Sequence, residues 1–193
     1  MRTAVIDRKT AETQIHCELN LDGNGNTDIS SGIGFFDHMM SLLAFHGQMD
    51  LVLKADGDLD VDDHHTIEDC GIAFGQAFRQ AIGERKGIAR YGTFTLPMDE
   101  SLATVSLDIS GRPYLVFNCE FNRDSIGMMA TEMVQEFMRA FAYHAGITLH
   151  INLHYGANDH HKAEAVFKAL GHALNIAFTV NSDVLMSTKG MLE

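Results

Sequence analysis

Asp63-His64-His65-Thr66-Ile67-Glu68 returns half a chain later as Asp159-His160-His161-Lys162-Ala163-Glu164. Imidazole and carboxylate together are the usual donors for a divalent first-row metal. A lone histidine near a helix start is most often a cap or a surface residue, but two copies in register need another reason. Each copy opens a stretch with a helical pattern, Thr66 to Ile82 and Lys162 to Phe178. Residues four apart share a helix face, so His64 with Glu68, and His160 with Glu164, point the same way. The adjacent His65 and His161 are turned away by about 100°. The spacing therefore predicts that the two imidazoles of one motif serve two metals. Either the other repeat or a neighbouring subunit would close such a paired site.

Outward from the motifs, the first half runs through Ser31-Gly32-Ile33-Gly34-Phe35-Phe36-Asp37-His38 into an apolar helix, Met39 to His46. A strand from Met49 to Lys54 and an acidic loop, Asp56 to Asp63, follow. The second half has a helix from Thr131 to His144, a strand from Thr148 to Leu153 and a short loop before its motif. Helix, strand, loop and His-His helix thus occur twice, an internal repeat. Aligning Ala44-Phe45-His46-Gly47 with Ala142-Tyr143-His144-Ala145 gives an offset of 98, against 96 between the motifs. The offset of 98 sets His38 opposite Glu136, making both candidate ligands; the competing reading of Glu136 is a solvated charge beside Gln135 and Arg139.

Thr13 to Leu21 alternates as a half-buried strand does, and Asp22-Gly23-Asn24-Gly25-Asn26 reads as a hairpin turn. Asp22, Asn24 and Asn26 imitate a calcium loop, but Thr27 stands where glycine is required and Ile33 where a bidentate glutamate is required. Strand-like segments also run from Thr93 to Leu96, Ala103 to Ile109 and Tyr114 to Cys119. Strands arriving in groups predict an α+β fold. It consists of two similar halves, 1–92 and 93–193, each a small sheet with helices on one face, packed into one compact domain.

A chain of 193 residues, 46% of them apolar, suffices for one ordinary core. The formal charge of −12 argues against nucleic-acid backbones and anionic membranes, which call for clustered Lys and Arg. A small phosphorylated ligand is not excluded, since two or three placed cations suffice. Cys17, Cys70 and Cys119 are odd in number and lie in apolar contexts, as reduced core cysteines do. The first nine residues lack the apolar core of a signal peptide, and no apolar run reaches about 18 residues, so the expectation is a soluble, cytoplasmic protein.

The candidate ligands are His38, His64, His65, His160, His161, Glu68 and Glu164, with Glu136 as an eighth. Two six-coordinate ions want about twelve positions, leaving roughly four for water or substrate, as a catalytic site needs. Arg90 in a Gly-flanked join, Arg112 in a Gly-Arg-Pro turn and Lys189 in Ser187-Thr188-Lys189-Gly190 suit a phosphate, where hydroxyls, N–H groups and a charged fork converge. Taken singly, each reads first as a surface cation.

Phe35-Phe36-Asp37-His38-Met39, Asp63 to Asp69, Arg90-Tyr91-Gly92, Asp108 to Pro113, Asp159 to Glu164 and Ser187 to Gly190 together resemble imidazoleglycerol-phosphate dehydratase, in order and over essentially the whole chain. The resemblance implies a histidine-biosynthesis lyase that removes water from D-erythro-imidazole-glycerol phosphate to give imidazole-acetol phosphate. It implies an internally duplicated fold similar to ribosomal protein S5 domain 2, and two Mn²⁺ per active site between subunits of a 24-subunit homo-oligomer. His38, His64, His65, Glu68, His160, His161 and Glu164 would be the ligands. Arg90, Arg112, Ser187, Thr188 and Lys189 would bind phosphate, and Glu12 would match the family's acid/base glutamate. Glu136 departs from the family's histidine; a carboxylate is an acceptable Mn²⁺ ligand, which implies a working site of altered affinity.

The carbon proton to be removed has no carbonyl to acidify it. Metals on both ring nitrogens would stabilise an imidazolate while a base takes the carbon proton and an acid assists loss of the hydroxyl. A dinuclear phosphate-ester hydrolase would use a similar ligand set, and a metal-glued structural assembly is the rival from outside enzymology.

Overall fold

Period-two alternation builds two four-stranded sheets in the computed structural model, which describes residues 1–187. The first half comprises β1 (Thr3–Lys9), β2 (Thr13–Asn20), β3 (Thr27–Ser30), α1 (Gly34–Gly47), β4 (Asp50–Gly57) and α2 (His64–Ile82). The second comprises β5 (Tyr91–Met98), β6 (Ser101–Asp108), β7 (Tyr114–Asn118), a ribbon of β8 (Ser125–Ile126) and β9 (Met129–Ala130), α3 (Glu132–Ala145), β10 (Thr148–Tyr155) and α4 (Asp159–Phe178). The sheet orders β1-β2-β4-β3 and β5-β6-β10-β7 are the same topology twice. In each, the last pair is parallel and the rest antiparallel. The fold is α+β with a duplicated architecture.

Three features differ from the sequence expectation. β1 was not anticipated, although it pairs along its length with β2, Ile6 opposite Cys17. Asp22 to Asn26 does turn, but the turn closes no hairpin, because β4 lies between β2 and β3. Turn chemistry fixes a change of direction, and only tertiary packing decides which strand is the neighbour. The β8–β9 ribbon interrupts the repeat and has no counterpart in the first half.

Ile15, Cys17, Leu19, Leu51 and Leu53 line the inner face of one sheet, and Ala103, Val105, Leu107, Leu149 and Ile151 that of the other, all buried. Between the sheets the helices meet across the halves, α2 against α3 and α1 against α4. Phe36, Phe74, Phe78, Phe137, Phe141 and Phe167 are fully buried there. Phe74 stacks on Phe141 at 5.0 Å, and Phe137 on Phe167 at 5.6 Å. Burial pushes the thiol of Cys17 up to about 12, and all three cysteines are free.

The two inter-half contacts are made alike. A Cβ on Gly75 would lie 2.8 Å from Phe141 O and 2.9 Å from His144 Cβ of α3. A Cβ on Gly171, 96 positions later, would lie 2.5 Å from Leu43 O and 2.9 Å from Gly47 N of α1. Both neighbours include backbone that cannot yield without moving a helix. Gly171→Ala and Gly75→Ala are each expected to cost about 1–3 kcal/mol through overpacking, read as a lowered urea midpoint with unchanged slope.

Candidate metal centre and phosphate subsite

Two clusters form where helices of different halves touch. In the first, His38 of α1 meets His160 and Glu164 of α4: His38 Nε2 lies 2.8 Å and His160 Nε2 3.2 Å from Glu164 Oε1. In the second, Glu136 of α3 meets His64 and Glu68 of α2. The ligand atoms of each trio lie within 4.8 Å of one another. An ion about 2.1 Å from each donor sets adjacent donors about 3 Å apart and opposite ones about 4.2 Å apart, so each trio fits one divalent cation with small adjustments. The donor chemistry, imidazole with carboxylate, suits Mn²⁺, Fe²⁺ or Zn²⁺.

Each cluster contains a cation, Lys168 in the first and Arg139 in the second. Lys168 Nζ donates to Glu164 Oε2 at 2.6 Å, on the oxygen away from the imidazoles. Burial alone would push the Glu164 carboxyl up, but hydrogen bonds from Lys168, His38 and His160 outweigh it and hold the group at about 2. Arg139 donates from Nη2 to Glu68 Oε1 at 3.0 Å and from Nε to Glu136 Oε2 at 2.8 Å. Glu136 is thus both ion-paired to Arg139 and part of the second trio.

The second histidine of each motif belongs to neither trio, and its ring plane stands at 83° to that of the first for His65 and 81° for His161. His65 Nδ1 is 3.0 Å from Asp58 Oδ2, and its Nε2 is 3.9 Å from Glu12 Oε1, in the turn between β1 and β2. His161 Nδ1 is 2.7 Å from Glu100 Oε2, and its Nε2 is 3.7 Å from Asp99 Oδ2. These carboxylates raise both imidazoles, Asp58 being the main cause for His65 and Glu100 for His161.

The aspartates that open the motifs do other work. Asp159 Oδ2 accepts from Asn122 N and Arg123 N, and Asp63 Oδ2 accepts from Ala130 N, so both motifs fasten the stretch that carries the β8–β9 ribbon. Buried Asp69 accepts from Arg8 Nη2 at 2.8 Å and from Thr13 Oγ1, tying α2 to β1 and β2. Matching hydrogen bonds set the motif starts: His64 N donates to Asp62 Oδ1 and His160 N to the N-cap Asn158 Oδ1, each at 2.9 Å.

Arg90 and Arg112 gather on Asp108. Arg90, buried and with φ of +71°, donates to Asp108 Oδ1 from Nε at 2.7 Å and to Oδ2 from Nη2 at 3.0 Å. Arg112 Nη2 lies 3.9 Å from Asp108 Oδ2. Arg90 Nη1 also donates to Met186 O at 2.5 Å, bringing the segment before Ser187 to the same place. That segment is fastened along the join by Ala89 N to Thr179 O and Gly87 N to Val184 O. Thr188 and Lys189 lie outside the described residues. Asp108 belongs to a motif quoted above yet was not among the candidates; an acid between two arginines was the signal that could have found it.

The family model described as imidazoleglycerol-phosphate dehydratase matches residues 31–174. An imidazoleglycerol-phosphate dehydratase of Clostridium botulinum is 56% identical over 191 residues, covering 98% of this chain and 97% of the relative. The crystal structure of imidazoleglycerol-phosphate dehydratase from Staphylococcus aureus superposes with a TM-score of 0.84 at 42% identity, over 93% of this chain and 99% of that one. A Pyrococcus furiosus structure of the same enzyme also gives 0.84, at 35% identity, over 97% and 100%. The order of motifs, the duplicated α+β fold and these likenesses agree: the chain belongs to the imidazoleglycerol-phosphate dehydratase family, which are hydro-lyases.

Proposed function

We propose that the chain, its halves 1–92 and 93–193 acting as one catalytic domain, converts D-erythro-imidazole-glycerol phosphate to imidazole-acetol phosphate and water in cytoplasmic histidine biosynthesis. The observation that carries the metal part of this reading is the pair of inter-half trios, His38 with His160 and Glu164, and Glu136 with His64 and Glu68. With His65 and His161 they provide ligands for two Mn²⁺ per site, completed between subunits of a homo-oligomer that the resemblance puts at 24 chains. When bound, the metal pair would supply Lewis-acid stabilisation of charge on the substrate's imidazole ring, beside the carbon that loses its hydroxyl.

The chain's own residues account for the rest. Arg90, Arg112 and Ser187, with Thr188 and Lys189, hold the phosphate, and Arg90 is preoriented by its two bonds to Asp108. Glu12 exchanges a proton with the reacting carbon or with the departing hydroxyl. Hydroxide departs from the ring-bearing carbon with one proton as water, another proton leaves the next carbon, and the enol so formed tautomerises to the ketone.

The test is turnover by EDTA-stripped protein with and without Mn²⁺, following ketone and free phosphate together. Ketone that forms only with metal is expected. Phosphate release would point to the hydrolase, and a metal-bound protein yielding neither product would leave the ions a structural role.

A further inference from the structure

Glu12 immediately precedes β2, and Glu100 immediately precedes β6, the equivalent strand of the second half. The repeat therefore carries this glutamate twice, and the two copies have different surroundings. The Glu12 side chain is 53% exposed, and its carboxylate makes one ion-pair contact among the described residues, to His65 Nε2 at 3.9 Å. Glu100 is fully engaged. Its Oε1 accepts from Asn158 N at 2.7 Å, Ala157 N at 3.1 Å and Ser101 Oγ at 3.1 Å, and its Oε2 meets His161 Nδ1 at 2.7 Å. What Glu100 does for His161, Asp58 does for His65 from the end of β4, with both oxygens within 3.3 Å of Nδ1.

A neutral imidazole has one N–H and one lone pair. A carboxylate at Nδ1 draws the N–H there and leaves the lone pair on Nε2, which in both rings is the nitrogen facing the mouth of a β-turn. We propose that Glu100 and Asp58 are positioning residues that fix Nε2 as the donor atom of His161 and His65. On this assignment the duplicated glutamates have divided: Glu100 orients a ligand while Glu12 stays available for proton transfer. The division explains why an enzyme built from two similar halves draws its acid/base glutamate from only one. The inference rests on the metal reading above.

Outer carboxylates of this kind typically change metal affinity by about 10–100-fold. The experiment is a Mn²⁺ titration of the full-length, EDTA-stripped protein, with free Mn²⁺ read by electron paramagnetic resonance, for wild type, Glu100→Gln, Asp58→Asn and the double variant. Each single variant is expected to weaken one Mn²⁺ per chain by that factor and leave the other at wild-type affinity, and the double variant to weaken both. Asp58→Asn, whose side chain hydrogen-bonds only His65 among the described residues, should keep the wild-type unfolding midpoint. Wild-type affinity at both ions in every variant would overturn the proposal. So would equal weakening of both ions by Asp58→Asn together with a lowered midpoint, the mark of a merely structural role. A wild-type protein that binds no Mn²⁺ would instead overturn the metal reading and this inference with it.

Discussion

Glu12→Gln is expected to lower kcat by more than about 10³-fold while Mn²⁺ and substrate affinities stay within about threefold. General acid–base groups contribute about 10²–10⁴-fold, and glutamine keeps the shape of the side chain but cannot exchange the proton. The surroundings favour a clean result. Glu12 sits in the β1–β2 turn with its backbone N–H held by Thr10 Oγ1 at 3.1 Å, and its exposed carboxylate has no hydrogen bond among the described residues. Steady-state kinetics with a parallel metal titration separates the two effects. Turnover retained within tenfold of wild type would remove Glu12 from the chemistry.

Glu164→Gln should produce the second large effect, on metal content before rate. Glu164 Oε1 is the point on which His38 and His160 converge, and Oε2 anchors Lys168. An amide cannot supply the negative charge that ties an imidazole pair to a divalent ion, and it leaves the Lys168 ammonium without its counter-charge. One of two Mn²⁺ per chain should be lost on dialysis, turnover should fall below detection, and the free energy of unfolding should drop by about 1.5–3 kcal/mol, the usual worth of a hydrogen bond to a charged group. Metal analysis after dialysis decides the matter: two ions retained with wild-type affinity would show that the Glu164 trio is not a binding site.

The motifs were legible because helix geometry alone puts His64 with Glu68 and His160 with Glu164. Which first-helix residue joins which trio was not, since His38 is 26 residues from His64 yet meets His160, and Glu136 is 24 residues from His160 yet meets His64. That exchange follows from α1 lying on α4 and α2 on α3, a packing decision no local pattern records. The grouped strands gave the α+β class for a physical reason, since antiparallel neighbours need only short turns. β1 is hard to see in the sequence because Asp7 and Lys9 make it polar on its open face and Arg8 puts a charge on the inner one, where it meets buried Asp69. Asp58, Glu100 and Lys168 were missed for a related reason. A carboxylate that orients an imidazole from another element has no spacing rule, whereas a ligand on the same helix has one.

The matched close approaches at Gly75 and Gly171 bear on how such a chain is put together. The α2–α3 contact maps onto the α4–α1 contact when the halves are exchanged, so a half-length chain would meet a second copy of itself through an isologous interface. Its apolar face would be the Phe74 and Phe78 surface that Phe141 now covers. The repeat is thus a unit of symmetry and not of independent stability, because each half borrows the other's helices to complete its core.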